Sequence, residues 1–365
     1  MACVRVIECE NRADCIAIAP DGHLLAIGAW NGGVQLLDAR TGGTVQINEN
    51  LFTTVISVAF SLTSPLLLAA AGYSTSNTIQ VWDCSGGGTC VATLRGLSES
   101  INHVTFSPDG RLLATASADK TVRLWHTNNW GAPPDVLEGH TLFVSCVSFS
   151  CDGRLLASCS FDYTVRLWRI SDNTAASPSA AYPVLEFVQQ HQLLVFSPVD
   201  SCMLAYNSPD GPIVLARVDA GAITMEHTLR GHVKTAVSMA FSPCGQTLVS
   251  ASYDRSMRLW SVASGTCLRV IQKLEWIDCE WINCATVVGF FPNGKQVASC
   301  SWGKVVRIWT LCTWSDRTHY LFGTPLKNKI FQLMCVRARL LAVGDKPELP
   351  IELWLMVFEQ LALIL

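Results

Sequence analysis

The feature that most constrains the fold is a segment that recurs along the chain at intervals of 42 to 49 residues. Its two clearest copies cover residues 137–168 and 229–260. In both, Ser, Asp and Trp follow a His at offsets of 18, 22 and 28 residues: His140, Ser158, Asp162 and Trp168 in one copy and His232, Ser250, Asp254 and Trp260 in the other. Because four shared spacings are more specific than a shared composition, the sequence predicts a repeat architecture.

A large apolar residue before a turn such as S-P-D-G marks each copy. It occurs at Ile18, Phe60, Phe106, Phe149, Phe196, Phe241 and Phe290, which gives seven units. Short alternating runs such as VSCVSF and TVRLW, separated by D-G or N-G turns, predict strands. The interval fits a four-stranded blade, whereas most helical repeats are shorter. We therefore predict an all-β fold for residues 1–314, a seven-bladed β-propeller with four-stranded antiparallel blades.

The units resemble the WD repeats of β-propeller proteins. A G-H pair stands at Gly139 with His140 and again at Gly231 with His232, and Trp closes the third strand of five units, at Trp82, Trp125, Trp168, Trp260 and Trp309. The resemblance implies that the Trp, Ser or Thr, His and Asp of one unit form a hydrogen-bonded chain inside a blade.

That set of four is complete only in the fourth and sixth units. The third unit has Thr115, Asp119 and Trp125, but Leu97 occupies the His position. The seventh keeps Ser299 and Trp309, while the first and fifth have Leu37 and Leu215 where Trp is expected. Repeat architectures tolerate such local losses, so the predicted number of blades stays at seven.

The first strand is predicted to close the ring. The opening VRVIEC resembles CLRVI at 267–271, so we expect it to form the outermost strand of the last blade, whose other strands come from about residues 285–311. Pairing the first and last segments removes exposed sheet edges.

Composition narrows the classes of partner. A net charge of −3 and a pI near 6.2 argue against a nucleic-acid or anionic-membrane surface, because both need a concentrated positive field. The 16 cysteines are spread out and contain no C-x-x-C pair, so buried reduced thiols are expected, with no metal or cofactor. The opening residues lack a signal-peptide pattern, and we expect an intracellular protein, cytoplasmic or alternatively nuclear.

The recurring His, Asp and Ser raise the question of a catalytic triad. The same trio repeats in separate units, whereas a hydrolase needs one converged site with an exposed nucleophile. We therefore expect no catalytic residues, and a propeller enzyme remains the disfavoured alternative.

The resemblance further implies that the residue before each turn Asp lies on the face where partners bind. Those positions hold Trp30, Phe161, Tyr253 and Trp302, together with Ala118 and an uncertain residue near Thr75; the starts of the first strands add Arg12, Asp14 and Phe143. Aromatic side chains of this kind concentrate binding energy. The alternative is that they pack against neighbouring blades.

The C-terminal segment carries a second resemblance. Residues 315–348 read as a linker with one helix over 328–343, and residues 349–365 as a further helix. The run LPIELWLMVFEQL resembles the first helix of an F-box at Leu349, Pro350, Glu352, Leu353, Val357, Phe358 and Leu361. A SOCS box is a less close resemblance, at Phe331, Cys335, Leu349 and Pro350. Both boxes bind adaptors of cullin ubiquitin ligases. In the alternative, this helix only packs on the propeller.

These observations predict a non-catalytic scaffold or adaptor that binds a protein or peptide on one propeller face. We expect a monomeric propeller within a larger complex. The sharper hypothesis is a substrate receptor of a cullin–RING ubiquitin ligase, recruited through the C-terminal helix.

Overall fold

The computed structural model describes residues 2–9, 11–48, 52–74, 77–85, 88–170, 185–186, 193–207, 211–219, 222–271, 285–301 and 304–311. The strands in these ranges are β1 (Ala2–Glu8), β2 (Ala13–Ile18), β3 (Leu24–Ala29), β4 (Val34–Asp38), β5 (Thr44–Asn48), β6 (Thr54–Phe60), β7 (Leu67–Tyr73), β8 (Ile79–Asp83), β9 (Thr89–Leu94), β10 (Ile101–Phe106), β11 (Leu112–Ser117), β12 (Val122–His126), β13 (Asp135–Leu137), β14 (Val144–Phe149), β15 (Leu155–Ser160), β16 (Thr164–Arg169), β17 (Leu185–Glu186), β18 (Leu194–Phe196), β19 (Met203–Asn207), β20 (Ile213–Asp219), β21 (Ala222–Leu229), β22 (Ala236–Phe241), β23 (Thr247–Ser252), β24 (Met257–Ser261), β25 (Cys267–Ile271), β26 (Ala285–Phe290), β27 (Gln296–Ser301) and β28 (Val305–Thr310).

These strands form seven four-stranded antiparallel sheets, each built from consecutive strands that we call a to d. Blades 1 to 6 are β2–β5, β6–β9, β10–β13, β14–β17, β18–β21 and β22–β25, and blade 7 is β26–β28 with β1. Strand a of each blade contacts strand a of the next, and β26 contacts β2, so the seven sheets form a closed ring. The seven-bladed propeller predicted from the repeat is confirmed.

The ring closes as the sequence predicted. Strand β1 pairs antiparallel with β28, with Glu8 opposite Val305 and Cys3 opposite Trp309. The first strand of the chain is therefore the outer strand d of the last blade, where it covers the edge of β28.

The core lies between blades. Seven clusters of buried apolar side chains occur, and each joins residues of two neighbouring blades. Strand b is buried on both sides, as in the continuously buried end of β15, because it is sandwiched between adjacent sheets. This explains its small residues, such as Ala157 and Ser158 in LLASCS. Fully burying one Leu here, such as Leu156, contributes about 1.5–3 kcal/mol.

The seven anchor residues all fall at one structural position, since each is the last residue of strand a in its blade. The described residues contain no helix, and hence none that could cross a membrane. The predicted helical segments at 315–348 and 349–365, with Leu349, Pro350, Leu353, Val357, Phe358 and Leu361, lie outside the described residues.

Candidate functional site

The b–c turns and the connections that enter strand a lie on the same side of the ring, which we call the upper face. The a–b turns form the opposite face. In blade 4 a chain of side chains connects the core to the upper face: Trp168 Nε1 donates to Ser158 Oγ at 2.8 Å, Ser158 Oγ lies 2.8 Å from His140 Nε2, and His140 Nδ1 lies 2.9 Å from Asp162 Oδ2.

Blade 6 repeats this geometry closely. Trp260 Nε1 donates to Ser250 Oγ at 2.8 Å, Ser250 Oγ lies 2.7 Å from His232 Nε2, and His232 Nδ1 lies 2.9 Å from Asp254 Oδ2. The structure therefore brings together the two sets of four that the spacing singled out.

The hydrogen bonds of this chain are satisfied by a neutral histidine. Trp168 donates to Ser158 Oγ, the Ser158 hydroxyl can then donate to His140 Nε2, and Nδ1–H can donate to Asp162. Burial lowers the pKa of both His140 and His232, against the raising effect of the adjacent carboxylates, which agrees with that state.

The carboxylate of this chain also organises the b–c turn. Asp162 accepts backbone N–H donors from Thr141 and Thr164 and the Thr164 hydroxyl. Burial opposes the charge of Asp162, but these hydrogen bonds and His140 hold its pKa below the usual range. Asp254 is held in the same way by Ser256, His232 and the backbone of Val233, and its pKa is also lowered.

Blade 3 reaches the same turn geometry with a different partner. Trp125 Nε1 donates to Thr115 Oγ1 at 3.3 Å, as the resemblance to WD repeats implied. Leu97 is buried at the histidine position, and Arg123 instead binds Asp119 Oδ2 at 3.0 Å. Arg123 Nη1 also donates to the carbonyl of Gly96, in the connection that enters the blade. A cation from strand c thus replaces the missing histidine.

Blade 7 keeps the inner half of the chain. Trp309 Nε1 donates to Ser299 Oγ at 2.8 Å, while the residues at its His and Asp positions lie outside the described ranges. In blades 1 and 5, Leu37 and Leu215 are fully buried at the Trp position. Apolar packing therefore takes the place of the hydrogen-bonded chain in those two blades.

The strand registers identify equivalent upper-face positions in every described blade. The residue after strand b is Trp30, Ala118, Phe161 or Tyr253 in blades 1, 3, 4 and 6, and its N–H donates to the carbonyl of the residue before strand a. In blade 2 the register places Tyr73 at this position, opposite Thr54. The sequence interpretation had placed it near Thr75, so this correction adds an aromatic residue, which is 50% exposed.

Trp30 is 55% exposed and anchors the blade 1 sector of the upper face. The guanidinium of Arg12 lies over its ring at 4.3 Å and forms an ion pair with Asp14 at 2.9 Å. Burial raises the pKa of Asp14 despite Arg12, and Asp14 Oδ2 has no hydrogen-bond partner among the described residues. Arg12 thus covers one face of Trp30.

Blade 4 presents an apolar sector on the same face. Phe143 is 49% exposed and packs edge-to-face on the half-buried Phe161, with ring centroids 6.3 Å apart. Leu142 and Tyr163, which the sequence interpretation missed, are exposed beside them. Their positions, two residues after the His and one after the Asp, would have identified them. Tyr253 is half-buried in blade 6, and Trp302 lies outside the described residues.

A β-bulge near the start of strand a affects which side chains point to the upper face. In six blades the pairing of strands a and b shifts by one residue near the start of strand a. Asp14 is the extra residue in blade 1, and Asn102 and Ser145 are the extra residues in blades 3 and 4. A bulge redirects a side chain locally. Asn102 uses this position to donate to the carbonyl of Val144 in the next blade.

The arrangement of the recurring Ser, His and Asp does not provide a nucleophile. The Ser158 side chain is buried between Trp168 and His140, and the His140 side chain has no exposed surface. Over the described ranges, no group of three His, Cys, Asp or Glu is placed to hold a metal ion. The upper face instead carries aromatic, apolar and cationic side chains that can contact a partner.

Comparison with known proteins identifies the repeat. The family model described as WD domain, G-beta repeat, matches residues 88–126, 131–169, 223–261 and 266–310. The matched segments cover material from blades 2 to 7 of the ring.

Related proteins align with about a third of the chain. A guanine nucleotide-binding protein subunit beta of Zea mays is 35% identical over 30% of this chain and 31% of its own length. Coronin-7 of Rattus norvegicus is 32% identical over 35% of this chain and 14% of its own length. A WD repeat-containing protein 26 homolog of Arabidopsis thaliana is 26% identical over 30% of this chain and 17% of its own length. The alignments thus span less than a third of each relative.

The four segments matched by the family model contain Trp125, Trp168, Trp260 and Trp309 of blades 3, 4, 6 and 7. The chain therefore contains four segments that match the WD-repeat model, and its described strands form a closed seven-bladed propeller.

Proposed function

We propose that this chain is a non-catalytic protein-interaction scaffold that binds a protein or peptide partner on the upper face of the propeller. One observation carries the proposal. At the position after strand b, four of the five blades described there display an aromatic residue: Trp30, Tyr73, Phe161 and Tyr253. Aromatic side chains on a rigid frame provide a large contact area at low entropic cost, as in binding hot spots.

A photo-crosslinking experiment tests this proposal. A photoreactive phenylalanine analogue replaces Phe143 on the upper face or Leu62, which is 60% exposed in an a–b turn on the opposite face. Both full-length variants are expressed in cells and irradiated. We expect partner adducts from position 143 that are absent from position 62. Adducts at position 62 alone, or equally at both, would contradict upper-face binding.

A finer proposal makes the protein a substrate receptor of a cullin–RING ubiquitin ligase. It is supported by the F-box-like pattern at Leu349, Pro350, Leu353, Val357, Phe358 and Leu361, or by the looser SOCS-box resemblance. An amphipathic helix of this kind binds an adaptor groove through its apolar side. The full chain should then bind a purified Skp-type or elongin-type adaptor, and a chain ending at Asp345 should not. Equal behaviour of the two chains would support a general scaffold whose tail packs on the propeller.

We further propose that the protein is intracellular and acts as a monomeric propeller within a larger complex, without nucleic-acid or membrane binding. The modest net charge of −3 and the scattered Lys and Arg residues support the proposed lack of nucleic-acid and membrane binding. Light scattering of the purified full chain and microscopy of the tagged chain provide the tests. A stable homodimer or a secreted product would contradict them.

A further inference from the structure

Blades 4 and 6 present the same upper-face frame with different side chains, and blade 3 shares part of it, although its Ser117 Oγ donates to the Ser100 carbonyl. In blade 4 the backbone of Thr141 donates to Asp162, Ser160 Oγ donates to the Leu142 carbonyl, and Phe161 N–H donates to the Phe143 carbonyl. In blade 6 the same three bonds join Val233 to Asp254, Ser252 to Lys234 and Tyr253 to Thr235. Blade 3 shares the third bond, between Ala118 and Ser100. Side chains at matching positions can therefore be compared directly.

The compared side chains differ in charge. At the position of Leu142, blade 3 has Glu99 and blade 6 has Lys234. At the position of Tyr163, blade 3 has Lys120 and blade 6 has Arg255. Blade 3 thus presents both signs, blade 4 presents apolar groups, and blade 6 presents two exposed cations.

The upper-face loops of blade 6 carry an excess of positive charge. Residues 229–256 contain three cationic residues, Arg230, Lys234 and Arg255, and all three are exposed. The same stretch contains one acidic residue, Asp254, whose side chain is 4% exposed and is bound by His232. Among the described residues, this sector is a local positive patch next to Val233, which is 84% exposed.

We propose that the partner is an acidic peptide segment that contains a large apolar residue, with the apolar residue bound at blade 4 and its carboxylates bound at blade 6. This inference rests on the proposed upper-face function. Charge complementarity supports the acidic part, since Lys234 and Arg255 favour negative partners and repel basic ones. The exposed Phe143, Leu142 and Tyr163 support the apolar part, because burying them releases water from a contiguous patch.

The spacing of the two features follows from sheet packing. Neighbouring sheets pack about 10 Å apart, so blades 4 and 6 are separated by about 20 Å near the ring centre. An extended peptide covers that distance in roughly six residues. Because blades diverge outward from the centre, the bound segment has its apolar residue at least about six positions from its acidic residues.

A selection from random peptides tests this chemistry directly. Phage-displayed random 12-residue peptides are selected against the full chain and against Lys234→Glu/Arg255→Glu. The matched control is Lys120→Glu, which reverses the charge at the Arg255 position of blade 3. We expect at least a fivefold excess of Asp and Glu in peptides selected by the unmodified chain and by the control. The double variant should lose that excess or select Lys and Arg.

Individual selected peptides give the quantitative arm. Their Kd, measured by fluorescence anisotropy, should rise at least tenfold in Lys234→Glu/Arg255→Glu and at least tenfold in Phe143→Ser, but less than twofold in Lys120→Glu and in Leu62→Ser on the opposite face. Raising the salt concentration should weaken binding to the unmodified chain, because exposed charges are screened.

The outcomes separate the inference from the proposed function. Selected peptides that depend on Phe143 but carry no acidic excess would overturn the inference and leave upper-face binding intact. Equal effects of the Lys120→Glu and double variants would overturn it as well. Peptides whose binding depends neither on Phe143 nor on the two cations would contradict both proposals.

Discussion

Blades 3 and 4 are neighbours with the same strand arrangement, yet they hold the same turn aspartate in different ways. In blade 4 the buried neutral His140 connects Asp162 to the core through Ser158 and Trp168. In blade 3 Arg123 binds Asp119 from the outer side, and no such connection to the core exists through Leu97. The geometry of the b–c turn therefore depends on a side chain that donates to the turn aspartate, and either histidine or arginine can be that donor.

The blades that use histidine leave one arginine donor without a hydrogen bond. In blades 4 and 6 the arginine equivalent to Arg123 is not needed for the carboxylate, and the buried Nε atoms of Arg166 and Arg258 have no hydrogen-bond partner within the described ranges. Unpaired buried donors cost free energy. The histidine at the position of His140 and the arginine at the position of Arg123 are thus alternative donors to the turn aspartate. A blade that uses one of them gains less stability from the other.

The largest expected effect follows from removing the acceptor of blade 4. Asp162→Ala removes the carboxylate that accepts from His140 Nδ1 and from the backbone N–H groups of Thr141 and Thr164. We expect the free energy of unfolding to fall by about 3 kcal/mol, measured by urea denaturation followed by tryptophan fluorescence. Asp109→Ala, at a half-exposed a–b turn position, is the control and should cost less than about 1 kcal/mol. Equal losses would mean that the buried chain adds nothing.

A smaller effect distinguishes the two arginines. Arg123→Gln should lower the free energy of unfolding by about 2 kcal/mol, because it removes the bonds to Asp119 and Gly96. Arg166→Gln in blade 4 should cost less than about 0.5 kcal/mol, because it removes no bond to the turn aspartate. The same denaturation experiment measures both, and similar values for the two variants would contradict the division of roles.

A rescue experiment sharpens this difference. Leu97→His introduces the histidine of blade 4 into blade 3, where Thr115 and Asp119 already occupy the partner positions. In an Arg123→Gln background it should restore about 1 kcal/mol, whereas in the unmodified chain it should be neutral or destabilising, because Arg123 already binds Asp119. An equal gain in both backgrounds would show that the two donors act independently.

The pH dependence of the blades should also differ. The pKa of His140 is lowered by burial, so between its folded value and about 6.5 the unfolded chain binds more protons than the native one. Stability in blade 4 is therefore present above about pH 6.5 and decreases as the pH falls below it. Hydrogen exchange, corrected for intrinsic rates, should show protection of β15 and β16 falling before that of β11 and β12. Simultaneous loss would indicate that His140 does not control local opening.

The smallest effect concerns a feature that the two blades share. Lys120 and Tyr163 occupy the same turn position with φ of 73° and 66°, in the left-handed region. Replacement by Gly removes steric strain but adds chain entropy, so each variant should be stabilised by no more than about 0.5 kcal/mol, by the same amount in both blades. A clear difference in denaturation midpoint between the two would mean that the blades also differ in turn strain.

The sequence could predict features that repeat with fixed spacing. The seven anchor residues and the closing role of β1 follow from the repeat pattern, and the Trp-to-Ser bonds follow from the resemblance to WD repeats. Arg123 could not be assigned this way, because an arginine two residues before Trp occurs in four units, and the sequence pattern does not show that this one binds the turn aspartate.

The upper face was harder to predict for a related reason. Blade 2 has a longer b–c connection, and only the pairing of Thr54 with Tyr73 locates its aromatic residue. Leu142, Tyr163, Lys234 and Arg255 are exposed side chains at positions where the frame does not depend on their chemistry, so periodicity does not single them out. Their difference in charge and polarity becomes visible only when equivalent positions are compared blade by blade.

Closure of the ring by β1 has a consequence for synthesis of the chain. The partner of β1 is made about 300 residues later, which at 5–20 residues per second takes roughly 15–60 s. During that interval the first strand has no partner in its final sheet, and blade 1 lacks the neighbour that completes one of its apolar clusters. Blades 1 to 6 can form in order during synthesis, but blade 7 is complete only after β28 has been made and has paired with β1. That waiting period is when the growing chain most needs protection from wrong pairing.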